Sequence, residues 1–214
     1  MSRGELTVIA AIPIQIMATR PTDSELARTM LGGDKEAFAE LYRRRQRDVY
    51  RFALHMTGAA DVAEDVTQEV FMVFMSGDNK FDETKGSVNA FLLGIARNYV
   101  LRRLRKDRSF VSIDDVLGEV TAVEAGAGEA LTRSLAIESM RQAVLNLPAH
   151  YREAVVLCDL QELSYTEAAE VLGCAIGTIR SRLNRGRTLL IAKLRSARDE
   201  TTATTELGST RCFA

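Results

Sequence analysis

The stretch from Leu163 to Leu194 constrains this chain more than any other. It reads L-S-Y-T-E-A-A-E-V-L-G-C-A-I-G-T-I-R-S-R-L-N-R-G-R-T-L-L-I-A-K-L, the pattern of two helices joined by a tight turn. Ser164 followed by Glu167 is a capping box, in which each side chain satisfies an orphan N–H at a helix start. Ala168, Ala169, Val171 and Leu172 give the short first helix a small apolar face. Gly173 falls where a left-handed residue closes a helix. The second helix opens between Ala175 and Thr178, and Ile176, Ile179, Leu183, Leu190 and Leu194 keep helical spacing along one side.

The opposite side of that second helix is basic and polar. Ser181 and Arg185 lie across from the apolar stripe, flanked by Thr178, Arg180, Arg182, Asn184 and Arg187. From Ala175 to Arg198 there are seven basic residues and no acid, whereas the preceding helices carry Glu153, Asp159, Glu162, Glu167 and Glu170. Ser, Thr and Asn fit base edges, and Arg reaches guanine or phosphate, so this face suits the major groove of double-stranded DNA. A basic helix can also be only a solvated face. The capping box, the glycine turn and the sorting of charge by element together favour a helix-turn-helix.

The rest of the chain reads as helix. Prolines number 3 and glycines 14, and the 46% of hydrophobic residues show no strand-like alternation, which predicts an all-α protein. With 28 basic against 29 acidic residues, affinity for nucleic acid has to come from local patches. Cys158, Cys174 and Cys212 lack C-x-x-C spacing, and His55 and His150 stand in no metal-binding frame. No nucleophile–base pair, metal cluster or phosphate loop is visible, so we expect no catalytic residue, metal, cofactor or small-molecule substrate. Residues 1–21 read as an extension. Their apolar run from Leu6 to Ala18 is too short, and too broken by Pro13 and Gln15, to span a bilayer. A cytoplasmic protein is expected.

From Thr22 helical patterns follow one another. Asp23 to Leu31 is a short helix stopped by Gly32-Gly33, and Asp34 caps a long one that turns Phe38, Leu41, Val49, Phe52 and Met56 inward and ends at Gly58. Arg43, Arg44, Arg45 and Arg47 form a basic cluster along it, read as a solvated face or a phosphate contact. The third helix, Asp61 to Met75, carries a seam of Val62, Val66, Val70 and Phe74. Asp65, Gln68, Glu69 and Met72 make a mixed second face suited to docking a protein. A polar loop containing Asn79, Lys80 and Phe81 leads into a fourth helix packed by Val88, Phe91, Leu92, Ile95 and Tyr99. That helix becomes basic toward Lys106. An aromatic loop beside a basic helix is what stacking of unpaired bases requires.

Four segments, A-E-D-V-T-Q-E-V-F, F-L-L-G-I-A-R-N, L-P-A-H-Y-R-E-A-V-V-L and the helix-turn-helix itself, closely resemble the extracytoplasmic-function sigma factors of bacterial RNA polymerase. The resemblance covers roughly residues 22–106 and 134–198. It implies two helical domains, 22–107 and 134–198, joined by a flexible acidic linker at 108–133 and followed by a disordered tail at 199–214. It further implies core polymerase docking through Asp65, Gln68, Glu69 and Met72. Melted single-stranded minus-ten DNA would be met by Asn79, Lys80, Phe81, Arg97 and Asn98. Minus-thirty-five DNA would be read by Thr178, Arg180, Ser181, Arg182, Asn184 and Arg185. An anti-sigma factor is implied as a partner, and the linker would thread toward the polymerase active site. Two positions depart from the family pattern: Phe91 stands where Trp is usual, and Asn184 where His or an aromatic is common. A stand-alone helix-turn-helix regulator is the alternative, though it leaves Asp65, Gln68 and Glu69 without a job. A DNA-silent interaction module is another, and it leaves the arginine face unexplained.

Overall fold

The computed structural model describes residues 20–76, 81–110 and 129–209. Asn79, Lys80, Cys212, residues 1–19 of the expected extension and residues 111–128 of the expected linker lie outside the described residues. The elements are α1 (Asp23–Leu31), α2 (Lys35–Thr57), α3 (Ala60–Ser76), α4 (Val88–Phe110), α5 (Glu129–Leu145), α6 (Ala149–Val155), a π-helical turn (Val156–Leu160), α7 (Tyr165–Leu172) and α8 (Ile176–Ser209). All regular structure among the described residues is helical, as expected. None of these helices is long and apolar enough to cross a membrane.

Local chemistry sets where the helices of the first half begin and end. Thr22 and Glu25 form a capping box at α1, with Thr22 N donating to Glu25 Oε2 at 2.7 Å and Glu25 N to Thr22 Oγ1 at 3.3 Å. Asp34 starts α2 by accepting from Glu36 N at 2.8 Å and Ala37 N at 3.1 Å. Gly58 closes it at φ 77°, a left-handed conformation. The basic cluster on α2 is largely consumed in ion pairs. Arg44 and Arg45 clasp Asp23 of α1 at 3.2 and 2.5 Å, and Glu40 holds Arg43 and Arg44 at 2.5 and 2.8 Å. The cluster therefore stitches α1 to α2. Spacing shows the arginines; it cannot show an acid a helix away.

The core of this half follows the expected seams. Leu41, Val49, Phe52 and Met56 of α2 meet Val66, Val70 and Phe74 of α3 and Leu92 of α4, all buried. On α4, Leu93, Ala96 and Val100 are buried as well, a wider apolar surface than the expected stripe. The reason is that α4 packs against α7 in addition to α2 and α3.

In the second half α8 crosses α6 closely. A β-carbon at Gly186 would lie 2.8 Å from Val155 Cγ2, so only glycine allows this approach. Leu147, Ala154, Val155 and Leu183 fill the space around it. Beyond the π-helical turn, Ser164 and Glu167 form the expected capping box and Gly173 closes α7 at φ 61°. The backbone of α4 runs on to Phe110, α5 begins at Glu129, and α8 continues through Ser209. The last of these passes the expected end of order at Arg198, since no proline stops the helix there.

The two helical halves share one core. Val144, Val156, Leu157, Leu163, Ala168, Leu172 and Ile179 belong to the same buried cluster as α2, α3 and α4. Polar bonds join them where α2 ends. Arg152 Nη1 donates to Met56 O at 2.6 Å and Arg141 Nη1 to Gly58 O at 3.2 Å. Arg152 Nη2 also reaches Leu147 O at 3.1 Å, and Leu145 O. Two guanidinium groups thus sit on the negative end of the α2 dipole and satisfy carbonyls that the helix cannot.

Two outcomes follow. Arg152→Ala strips these carbonyls of a charged donor and should lower unfolding free energy by about 1–3 kcal/mol, read by urea denaturation. Near the same junction, burial first and the charges of Arg51 and Arg141 second hold the His55 imidazole below its ordinary value of 6.5. Below pH 6.5 the unfolded chain therefore takes up a proton that the folded chain resists, so stability is full above this pH and falls with acidification. His55→Gln should flatten that fall in pH-dependent melting curves.

Candidate nucleic-acid and protein interfaces

Helix α3 presents one apolar face to the core and a different one to solvent. Asp65, Gln68 and Met72 are exposed and Glu69 half-exposed, and Met72 is 66% accessible. The expected docking residues therefore share a single strip, which Met75, 57% accessible, extends. Arg103 of α4 reaches this strip, 3.2 Å from Asp65 Oδ2 and 3.8 Å from Glu69 Oε1. These pairs are exposed, and such contacts are worth roughly 0–1 kcal/mol, so a partner's cations can replace Arg103 cheaply.

The residues expected at single-stranded DNA are brought together in part. Phe81, Asn98, Phe91 and Gly94 line a cleft of about 380 Å³ whose other wall is Glu170 and Val171 of α7. Phe81 is half-buried, with its ring edge-on to Phe91 at 5.6 Å between centroids. Phe91 in turn leans on Phe74, so the aromatic loop is anchored to the core. Asn98 is exposed. Arg97 is not: its Nε donates to Glu153 Oε1 of α6 at 2.7 Å, and it is half-buried there.

The face of α8 agrees with the sequence pattern. Ile179 and Leu183 are buried, while Arg180, Ser181, Asn184 and Arg185 are exposed and Thr178 and Arg182 half-buried. Ile176 departs from the expected stripe and is exposed, because it stands at the first position of the helix, outside the packed turn. Among the described residues no acid lies within ion-pair distance of Arg180, Arg182 or Arg185. Arg187 differs. It is held by Asp159 through two bonds, Nε to Oδ2 at 3.0 Å and Nη2 to Oδ1 at 2.6 Å. That bidentate pair ties α8 to the π-helical turn and fixes the pitch at which the free arginines project.

Cys158 lies in that turn. Burial, and then the neighbouring Asp159 carboxylate, push its thiol up to about 11. A thiol so raised is a poor nucleophile. Sequence reasoning missed Ser87, Arg103, Glu153 and Glu170 as parts of these surfaces. Their partners are distant in the chain, and no local spacing signals them.

Three comparisons bear on this arrangement. The Sigma-70 region 2 family model matches residues 41–110 and the Sigma-70 region 4 model matches residues 137–190. A protein with both regions on an all-helical frame is a sigma factor of the sigma-70 type. The chain is 30% identical to the ECF RNA polymerase sigma factor SigW of Bacillus subtilis over 172 residues, covering 76% of this chain and 91% of that protein. It is 35% identical to the ECF RNA polymerase sigma factor SigM of Bacillus subtilis over 156 residues, 72% of this chain and 92% of that one. Among solved structures, CnrH in complex with the cytosolic domain of CnrY superposes with a TM-score of 0.62 at 25% identity, over 81% of this chain and 97% of that one. RpoE in complex with the anti-sigma factor NepR from Bartonella quintana gives 0.59 at 28% identity, over 75% and 98%. The chain belongs to the extracytoplasmic-function (ECF) sigma factors of RNA polymerase.

The raised Cys158 thiol carries a prediction. Native protein treated with a maleimide near neutral pH should leave Cys158 unmodified, by peptide mass mapping, and Cys158→Ala should show the same activity in oxidising and reducing buffers. A loss of activity on oxidation that the substitution removes would make this residue a sensor.

Proposed function

We propose that this chain, as an ECF sigma factor, binds core RNA polymerase through the outward strip of α3 and directs it to promoters through two DNA-reading faces. In this reading Asp65, Gln68, Glu69 and Met72 meet basic polymerase helices. Phe81, Arg97 and Asn98, with Asn79 and Lys80, receive the melted minus-ten strand. Thr178, Arg180, Ser181, Arg182, Asn184 and Arg185 lie in the major groove of the minus-thirty-five element. The chain works by binding in the cytoplasm, and the chemistry of transcription belongs to the polymerase. An anti-sigma factor is a fitting regulator, since RpoE from Bartonella quintana is solved in complex with one.

The observation that carries the reading is the separation of two unlike surfaces. The acidic, methionine-edged strip of α3 is exposed away from its own core seam, and Arg180, Arg182 and Arg185 of α8 project from another element with no acid at ion-pair distance among the described residues. A stand-alone helix-turn-helix regulator needs only the second surface and would tolerate loss of the first.

The test separates the two surfaces. Asp65→Ala combined with Glu69→Ala should retain helical content and melting temperature but fail to co-purify with core polymerase. Losing charge pairs at a desolvated interface costs roughly 2–5 kcal/mol. Arg185→Glu should still co-purify and yet fail to initiate from a cognate promoter, since a bidentate Arg–guanine contact is worth about 1–3 kcal/mol and the reversed charge repels phosphate. Wild-type polymerase binding by the first variant would instead favour the stand-alone regulator.

A further inference from the structure

We propose that Met72 and Met75 form an oxidation-sensitive modification site on the outward strip of α3, where conversion of their thioethers to sulfoxides by a peroxide weakens docking on core polymerase. This rests on the assignment of that strip to the polymerase.

Exposure sorts the methionines of the described residues. Met30 and Met56 are buried in the core, whereas Met72 is 66% accessible, Met75 57% and Met140 of α5 42%. A dissolved oxidant reaches the last three and not the first two. Met72 and Met75 are three residues apart on one helix, so their side chains are neighbours. Gln68 stands one turn before Met72, which places both sulfurs in line with the exposed polar residues of the strip. Val66, Val70 and Phe74 take the opposite face into the core.

The step is an oxygen-atom transfer. With hydrogen peroxide the sulfur lone pair attacks one peroxide oxygen, and the S–O bond forms as the O–O bond breaks. The departing oxygen leaves as water, sulfur loses two electrons and the peroxide gains them. No proton has to leave the side chain first. A thiol must ionise, and Cys158, with its thiol pushed up to about 11, holds little thiolate near neutral pH. The exposed thioethers are therefore open to a peroxide at a pH where that thiol is not. Disulfide-based redox buffers have no oxygen atom to give and leave this site untouched.

A sulfoxide converts a flexible apolar side chain into a polar one. On the free chain its oxygen is hydrated, and the core does not feel it, because both side chains lie outside the packed seam. Against a partner that oxygen loses its water, and an acceptor desolvated without a donor raises the cost of docking. The modification thus separates binding from folding.

The experiment uses the full chain, treated with hydrogen peroxide, freed of the oxidant and titrated onto untreated, immobilised core polymerase. Each protein is compared with its own untreated sample. Peptide mass mapping should find sulfoxide at Met72 and Met75 with Met30 and Met56 intact, and helical content should not change. The Kd for core polymerase should rise roughly tenfold or more, as expected for an unpaired polar group in an interface. Incubation with the two stereospecific methionine sulfoxide reductases should reverse the rise. Met72→Leu with Met75→Leu keeps apolar side chains without sulfur, and its Kd should be the same before and after treatment. Met140→Leu should respond to peroxide as the wild type does. Thioethers left unmodified at both positions, sulfoxides there with an unchanged Kd, or a loss that persists in the double leucine variant would overturn the site. If Asp65→Ala with Glu69→Ala bound core polymerase like wild type, the docking assignment beneath it would fall instead.

Discussion

The last turn of α2 cannot satisfy its own carbonyls, and much of the architecture answers that constraint. Met56 and Gly58 end a helix in the middle of the molecule, where water cannot serve as donor to every group. Arg152 and Arg141, from the second half, supply the missing donors. Each guanidinium is charged, so it also faces the favourable end of the helix dipole. Because these donors sit on α5 and α6, the first half is complete only when the second is packed on it. The shared apolar cluster, from Phe52 through Val156 to Ile179, makes the same statement in hydrophobic terms.

That packing divides the polar surface into two kinds. Some charges face inward across the junction, as Arg97 does toward the buried Glu153, and exchanging their partners has a high cost. Others lie on outer faces with weak partners, as in the Asp65–Arg103 pair, or with no ion-pair partner among the described residues, as in Arg180 and Arg185. A protein that docks on one large partner and reads DNA needs outer faces of the second kind. Gly186 and the Asp159–Arg187 pair serve the DNA face indirectly, by fixing how α8 sits on α6.

Whatever depends on neighbours in sequence was legible in it. Ser164 and Glu167 announce the start of α7, Gly173 announces its end, and the valines of α3 their seam. The exposed strip of Asp65, Gln68, Glu69 and Met72 could be drawn because a helix has a fixed period. Contacts between elements were not legible. Nothing near Arg97 points to Glu153, and nothing near Arg44 and Arg45 points to Asp23, so a residue expected at the minus-ten strand and a cluster read as a solvated face or a phosphate contact are both paired. The width of the buried face on α4 was missed for the same reason, since α7 reaches it from the other half. The helical continuation of α8 past Arg198 runs through a threonine-rich stretch, where composition pointed to disorder and an already nucleated helix propagates instead.

The account's central claim is that this one chain confers promoter choice on an enzyme that lacks it. Run-off transcription with purified core polymerase on genomic fragments tests this most directly. The account predicts discrete transcripts only when chain and core are both present, with start sites sharing upstream sequence at two separated elements. Core polymerase whose output is unchanged by the chain, or transcripts whose starts share no upstream sequence, would contradict it.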